Sequence, residues 1–268
     1  MTRSAWTVVF LVVAPSCATR IEPDQAGAAK PKSAARQLPN FYADVAVGAG
    51  NYEHDTSGDG GAASGDTDGG YAALRFEAVT DSGIGGGLAL EGTGSDDDLL
   101  ADVGAPDVEG RTSDLFLYFV GDPARSDDFR LPLRVGPYIH RLEVEEDPTS
   151  TKIDWDGVGL RLQASPEWWF LRRDAFSLGL AGDLSLGAHV TSIDAEDGTG
   201  FSDSFDGDGW TLGAGLGVIA LFGEHVTTQL GYVYRMTNES ESDESNGFVV
   251  NEANQTFHGV VLGLGVRF

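Results

Sequence analysis

The sequence predicts an all-β chain that folds as a single antiparallel, up-and-down transmembrane β-barrel of about ten strands. Between Phe41 and Phe268, apolar residues alternate with small or polar ones, which is typical of strands that have one apolar face. The connections between these segments are alternately short and long, as they are in barrels that cross a membrane. The final segment keeps the alternation up to a terminal aromatic residue.

Ten segments show the alternation, and an even number of strands returns the chain to the side of the membrane where it began. The fourth segment is apolar on both faces, so the sequence leaves its orientation open. The predicted short connections are 80–83, 121–128, 165–174 and 222–225. The ten segments are 41–48, 71–79, 84–93, 114–120, 129–142, 153–164, 176–190, 210–221, 226–236 and 259–268.

The acidic residues are concentrated in the long connections. The chain has 42 acidic and 17 basic residues, a formal net charge of -25, and more than half of the acids lie in those connections. The only bases there are Arg111 and Lys152. We expect no nucleic-acid partner, because phosphate binding requires clustered Lys and Arg. An acidic rim predicts weak association with divalent cations instead.

The N-terminal residues predict an export signal. Residues 1–18 combine one arginine, an apolar stretch and small residues, which is the pattern of a secretory signal peptide. A polar periplasmic tether is predicted at 19–39, and the barrel domain at 40–268. The one cysteine, Cys17, is a candidate for lipidation, with ordinary signal cleavage nearby as the alternative.

A soluble, lipocalin-like binding barrel is an alternative that alternation alone does not exclude, because it would turn the same apolar stripes inward around a ligand. The opposite faces argue against it, since they are rich in glycine and mixed in charge. Aromatic residues near the strand ends also match the girdle of a membrane barrel. These are Phe41, Trp155, Trp168, Trp169, Trp210, Phe222 and Tyr234.

The last strand carries a more specific signal. Val260, Leu262, Leu264 and Val266 alternate toward Phe268, and this strand resembles the C-terminal sorting signal of bacterial outer-membrane β-barrel proteins. The resemblance implies location in the outer membrane, contact with outer-membrane lipid and recognition by the barrel-insertion machinery. It also implies that Phe268 is part of an assembly signal.

If the apolar faces contact lipid, the opposite faces place ten charged side chains in the lumen. In a narrow barrel these are expected to form cross-strand ion pairs that plug it. A small pore is the alternative, because luminal glycines leave room. The ten are Asp44, Glu77, Glu91, Asp183, Arg75, Arg130, Arg134, Arg161, Arg235 and Arg267.

The sequence predicts a non-enzymatic surface or structural barrel with no catalytic site, metal site or cofactor. The alternative is an outer-membrane hydrolase, either a protease or a lipid A-modifying enzyme. Two histidines near the outer strand ends are candidate bases for it, each with carboxylates close in sequence. The two groups are His140 with Glu143 and Glu145, and His189 with Asp194 and Glu196.

The first long connection contains a partial match to a calcium-binding loop. Five of its residues have the spacing of such a loop, but the twelfth position is aspartate rather than glutamate and no helices are predicted beside it. A solvated acidic loop is the favoured interpretation. The five are Asp55, Ser57, Asp59, Gly60 and Asp66.

Overall fold

The computed structural model describes residues 40–58, 61–95, 108–124, 126, 128–146, 151–173, 175–196, 202–223, 225–241 and 252–267. The predicted signal peptide and tether, with Cys17, lie outside these residues, as does Phe268. No helix in the described part of the chain is long and apolar enough to cross a membrane. The strands are β1 (Asn40–Gly58), β2 (Gly61–Val79), β3 (Ile84–Ser95), β4 (Val108–Gly121), β5 (Phe129–Arg130), β6 (Leu133–Glu146), β7 (Thr151–Ala164), β8 (Glu167–Arg173), β9 (Phe176–Glu196), β10 (Ser202–Phe222), β11 (Val226–Glu241) and β12 (Glu252–Arg267).

Ten of these strands close into an antiparallel barrel. Their order around it is β1, β2, β3, β4, β6, β7, β9, β10, β11 and β12, and β12 pairs with β1 from Tyr42↔Arg267 to Ser57↔Glu252. The other two are extensions, because β8 pairs with the first residues of β9 and β5 pairs with β8. The predicted ten-stranded up-and-down barrel is confirmed.

The predicted short connection at 165–174 is wrong. Most of it is strand β8, whose Arg173 pairs with Phe176 at the start of β9. The chain leaves β7 at Ser165 and Pro166 and then continues as β8. Pro166 has no backbone N–H to donate to the neighbouring strand, so it separates β7 from β8. Both strands nevertheless pair with β9.

The tight turns at two other predicted connections are confirmed. The turn at 80–83 is closed by a hydrogen bond from the backbone N–H of Gly83 to the carbonyl oxygen of Thr80, with an N···O distance of 2.9 Å. Gly83 has a φ of 81°, and Gly223, in the turn before β11, has a φ of 60°. Glycine adopts such angles without the steric penalty that a side chain introduces. We call this side of the barrel the turn end.

Strands at the opposite side project as long hairpins, and we call this side the hairpin end. The β1–β2 hairpin reaches the pair Gly58↔Gly61, and the β9–β10 hairpin reaches Glu196↔Ser202. Much of what the sequence predicts as long loops is therefore extended strand. In the predicted calcium loop, Asp55 and Ser57 lie on β1 and Asp66 lies on β2. These three residues thus lie in strands, and Asp59 and Gly60 lie outside the described residues.

The outside of the barrel is an apolar belt. Leucine, valine, isoleucine and phenylalanine side chains point outward along every strand of the closed sheet, and Leu160, Val190 and Leu216 are 68%, 69% and 66% exposed. Asp44, Glu77 and Arg134, on the same strands, point inward and are buried. The apolar stripes thus have the orientation of a membrane barrel and the opposite of a soluble one.

Two aromatic residues of the predicted girdle face the lumen instead. Trp155 and Trp169 are buried. Phe41, Trp168 and Phe222 are exposed on the outside, as a girdle requires. Each of the two tryptophans is an even number of positions from inward-facing residues on its strand, so it faces inward too. The girdle was predicted only from closeness to strand ends, without regard to this alternation.

Candidate functional site

The lumen is filled near the turn end by an arginine–carboxylate network. The Arg134 guanidinium is fully buried and donates to Glu77 at 2.8 Å and to the Ser165 hydroxyl at 2.8 Å. Arg130 pairs with Asp122 at 2.7 Å, and both side chains are buried. Either partner of such a buried ion pair would be an uncompensated charge without the other.

A second layer crosses the middle of the lumen. Arg235 donates to Glu91, to Asp183 at 3.2 Å and to the Tyr71 hydroxyl at 2.8 Å. Arg161 pairs with Glu91 at 3.2 Å and also with the carboxylate of Asp114. These contacts link strands on opposite walls. Six of the ten predicted luminal charges form cross-strand ion pairs in these two layers: Glu77, Glu91, Asp183, Arg134, Arg161 and Arg235.

Little space remains between these side chains. Two cavities of about 20 and 30 Å³ lie among the residues of the middle layer, including Glu91 and Arg161. Each has room for about one or two water molecules.

Above the middle layer, two histidines and two carboxylates form a buried cluster. His140 Nδ1 lies 2.5 Å from Asp114 Oδ1, and His189 Nε2 lies 2.6 Å from Glu239 Oε1. His189 Nδ1 is 2.5 Å from the Tyr138 hydroxyl, and His140 Nε2 is at an ion-pair distance of 3.3 Å from Glu239 Oε1. The two imidazole rings lie 4.9 Å apart between centroids. We call these five residues the His–Glu cluster.

The sequence makes room for the cluster with glycine on the strands between its members. A Cβ atom at Gly209 would lie 2.4 Å from His189 Nε2 and 2.4 Å from Glu239 Oε2. A Cβ atom at Gly157 would lie 2.7 Å from the His189 ring. Such contacts are far inside van der Waals distance, so a larger residue at either site would displace the histidine.

An apolar layer covers the cluster toward the hairpin end. Leu142, Trp155, Ile193 and Ala253 pack together there, and all four are buried. Leu142 and Ile193 belong to the strands that carry the two histidines, and Ala253 pairs with Glu239 across β11 and β12. The cluster is consequently enclosed between this apolar layer and the middle layer, which contains Arg161.

The structure corrects the predicted partners of both histidines. His140 and His189 contact Asp114 and Glu239 rather than the acidic residues close to them in sequence. The reason is strand geometry, because neighbours at odd spacing on one strand point to opposite faces of the sheet. Glu143 is an example: it points outward and binds Lys152.

Asp114 and Glu239 are functional candidates that the sequence analysis missed. Asp114 lies on the fourth segment, which is apolar on both faces, so the sequence did not show which face points inward. Glu239 was assigned to a long loop, although it lies on β11, four residues beyond the luminal Arg235. Extending the alternation of β11 by two more residue pairs would have placed Glu239 in the lumen.

The outside of the barrel carries a larger pocket, of about 300 Å³, where β2, β3, β4 and β6 leave the apolar belt. Arg111 and Arg141 line it. Arg141 pairs with Asp154 at 3.1 Å, and Lys152 pairs with Glu143 at 2.7 Å. The hydrogen bond from Lys152 holds the pKa of the Glu143 carboxyl below its ordinary value. Two basic groups and one acidic group, Arg111, Arg141 and Glu143, thus line this pocket.

A closed sheet satisfies every ladder hydrogen bond internally, which is the condition for crossing lipid with strands. Together with the outward apolar belt and the polar lumen, it decides the class of the molecule. The chain is an outer-membrane β-barrel. Its localisation is the bacterial outer membrane.

Comparison with known proteins gives only distant structural likenesses. No protein-family model matches the chain, and no curated protein matches its sequence. The outer-membrane protease OmpT from Escherichia coli is similar at 10% identity and a TM-score of 0.44, over 88% of this chain and 100% of that chain. A major outer-membrane protein from Thermus thermophilus is similar at 17% identity and a TM-score of 0.43, over 85% and 99% of the two chains.

The translocator domain of the autotransporter NalP from Neisseria meningitidis is a third similar structure. It has 12% identity and a TM-score of 0.41, over 84% of this chain and 88% of that chain. Likenesses this distant assign no function to this barrel. Its activity has to be argued from its own residues.

Proposed function

We propose that this protein is a closed, non-enzymatic outer-membrane barrel that displays acidic strand hairpins on the cell surface. The observation that supports this most strongly is the luminal network, in which Arg134, Arg161 and Arg235 each bind carboxylates across the barrel. Moving these groups apart to open a pore would separate buried charges, which is strongly unfavourable.

Enclosure of the His–Glu cluster argues against the hydrolase alternative. A hydrolytic site has to admit a substrate bond to within hydrogen-bonding distance of its base. Both histidines are buried, and the apolar layer of Leu142, Trp155, Ile193 and Ala253 covers them from the hairpin end. A peptide or an acyl chain cannot reach them without unpacking that layer.

Outer-membrane lipid is part of the proposal as a partner. The apolar belt would contact acyl chains, and the pocket with Arg111 and Arg141 would contact anionic headgroups. Divalent cations would associate weakly with the acidic hairpins, because concentrated carboxylates attract counter-ions without fixed ligand geometry.

Planar-bilayer recording tests whether the barrel is closed. We expect refolded protein to show at most small, infrequent openings, because the luminal arginines remain paired. The double variant Arg161→Ala, Arg235→Ala removes two guanidinium groups from the middle layer and is expected to conduct more. Arg141→Ala, on the outer surface, is the matched control and should leave the recordings unchanged. A large steady conductance of the natural protein would contradict the proposal.

Recognition by the barrel-insertion machinery is proposed from the last strand. Deletion of Phe268 is expected to reduce the folded fraction in outer membranes strongly, while deletion of hairpin-end residues such as Asp55 should not. The measurement is heat-modifiable gel mobility of outer-membrane fractions. Normal folded yield of the truncated protein would show that Phe268 is not an assembly signal.

A further inference from the structure

The His–Glu cluster has the donor set and the surroundings of a metal site. His140, His189 and Glu239 each offer a ligand atom, and these three atoms all lie within 4.8 Å of one another. The Nε2 atoms of both histidines face Glu239 Oε1. Two imidazole nitrogens and one carboxylate form a ligand set that binds zinc in proteins. The three residues come from β6, β9 and β11, so only the folded barrel brings them together.

Two buried atoms support a ligand between these groups. Among the described residues, His140 Nε2 and Glu239 Oε2 have no hydrogen-bond partner, although both are shielded from solvent. The contact of His140 Nε2 with Glu239 Oε1, at 3.3 Å, is an ion-pair distance only. Buried polar atoms are normally satisfied, and each one left without a partner is destabilising. A cation at the centre would give His140 Nε2 a partner beside the Glu239 carboxylate.

The outer nitrogens of the two histidines are already oriented for this role. His140 Nδ1 lies 2.5 Å from the Asp114 carboxylate, and His189 Nδ1 lies 2.5 Å from the Tyr138 hydroxyl. Metal-binding histidines characteristically donate the other ring N–H to a carboxylate or a similar acceptor, which fixes the tautomer and turns the lone pair toward the ion. Both Nε2 atoms point toward Glu239 in this arrangement.

The distances allow a tetrahedral ion with small movements. Ligand atoms at about 2.0–2.2 Å from a tetrahedral zinc ion lie about 3.3–3.6 Å from one another. The His140–Glu239 separation of 3.3 Å already has this value, whereas the His189–Glu239 separation of 2.6 Å has to widen. Three protein ligands leave the fourth position to a water molecule.

We propose that His140, His189 and Glu239 bind one zinc ion, or a divalent ion of similar preference, in the lumen, with Asp114 and Tyr138 orienting the histidines. Because the apolar layer and the Arg161 layer enclose the cluster, the ion enters during folding rather than through an open path. The site therefore stabilises the barrel and does not need access for a substrate. The metal proposal does not depend on whether the lumen conducts ions.

Metal content of refolded protein tests the proposal. The full chain is refolded with zinc, passed through a chelating column and analysed by inductively coupled plasma mass spectrometry. We expect about one ion per chain, retained by the folded barrel. Refolding with cobalt should give the visible absorption of a tetrahedral site with nitrogen and oxygen ligands. Folded natural protein that retains no metal and shows no cobalt absorption would overturn the proposal.

Variants separate the site from adventitious binding. Glu239→Gln keeps the shape of the side chain and removes its charge, so bound metal should be lost. Asp114→Asn, which changes an orienting residue, should lower zinc affinity about 10–100-fold and leave a measurable site. His258→Gln is the control, because His258 lies outside the cluster beside Glu53. Equal metal content in all three folded variants would show binding at the acidic surface only and would overturn the proposal.

Discussion

Replacement of Arg134 by alanine is expected to lower the free energy of unfolding by about 3–5 kcal/mol, because it leaves the buried Glu77 carboxylate without its partner. The Arg134 side chain is fully buried, and its guanidinium binds both Glu77 and Ser165. Removing it also leaves a space beneath the middle layer. The measurement is urea-induced unfolding of refolded protein in lipid vesicles, followed by tryptophan fluorescence.

Arg141→Ala provides the control for this experiment. Arg141 lies on the neighbouring part of the same strand, but its side chain is 43% exposed and its partner Asp154 is near the surface. Exposed ion pairs contribute about 0–1 kcal/mol, so the control should be close to the natural protein. Equal effects of the two substitutions would mean that Arg134 is solvated and that the turn end of the lumen is open.

Replacement of Leu216 by arginine is expected to destabilise the barrel by about 2–4 kcal/mol, the effect of a cation on the lipid face at the bilayer midplane. Leu216 lies near the middle of the apolar part of β10 and is 66% exposed. In a soluble protein, an exposed leucine tolerates this change easily. The same vesicle-based unfolding measurement gives the effect.

Ser192→Arg is the matched control for the lipid face. Ser192 points outward from β9 but lies beyond Val190, where the apolar belt ends. Near the interface the effect of arginine falls to about 0–1 kcal/mol. If Leu216→Arg is as harmless as Ser192→Arg, the belt does not contact acyl chains at that height.

The barrel could be predicted from the sequence because alternation is a local property. Each strand shows its two faces within a few residues. In the pairs Gly263–Leu264 and Leu216–Gly217, for example, the apolar face can be identified without knowing the partner strand. The residue at which a strand ends is harder to predict, since polar residues occur both in loops and on strands above the belt. For this reason the extents of β2 and β10 were underestimated and β8 was taken for a turn.

The His–Glu cluster could not be predicted, because it depends on register. His140 faces Gly157, and His189 faces both Gly159 and Gly209, so the histidines meet only through the space that the glycines leave. Closeness in sequence instead favoured Glu143 as the partner of His140, although Glu143 points outward. Register is set by the pairing of the whole sheet and not by any one segment.

The most direct test of the closed lumen is the accessibility of a thiol placed inside it. In a Cys17→Ser background, Thr211→Cys puts the only thiol in the middle of the lumen, where Thr211 is 6% exposed, and Ser192→Cys puts it on the outer surface. Refolded protein in vesicles is treated with a small charged methanethiosulfonate, and labelling is followed by mass spectrometry. A closed lumen predicts rapid labelling at position 192 and almost none at position 211 until the barrel is unfolded. Labelling of both sites at similar rates would contradict it.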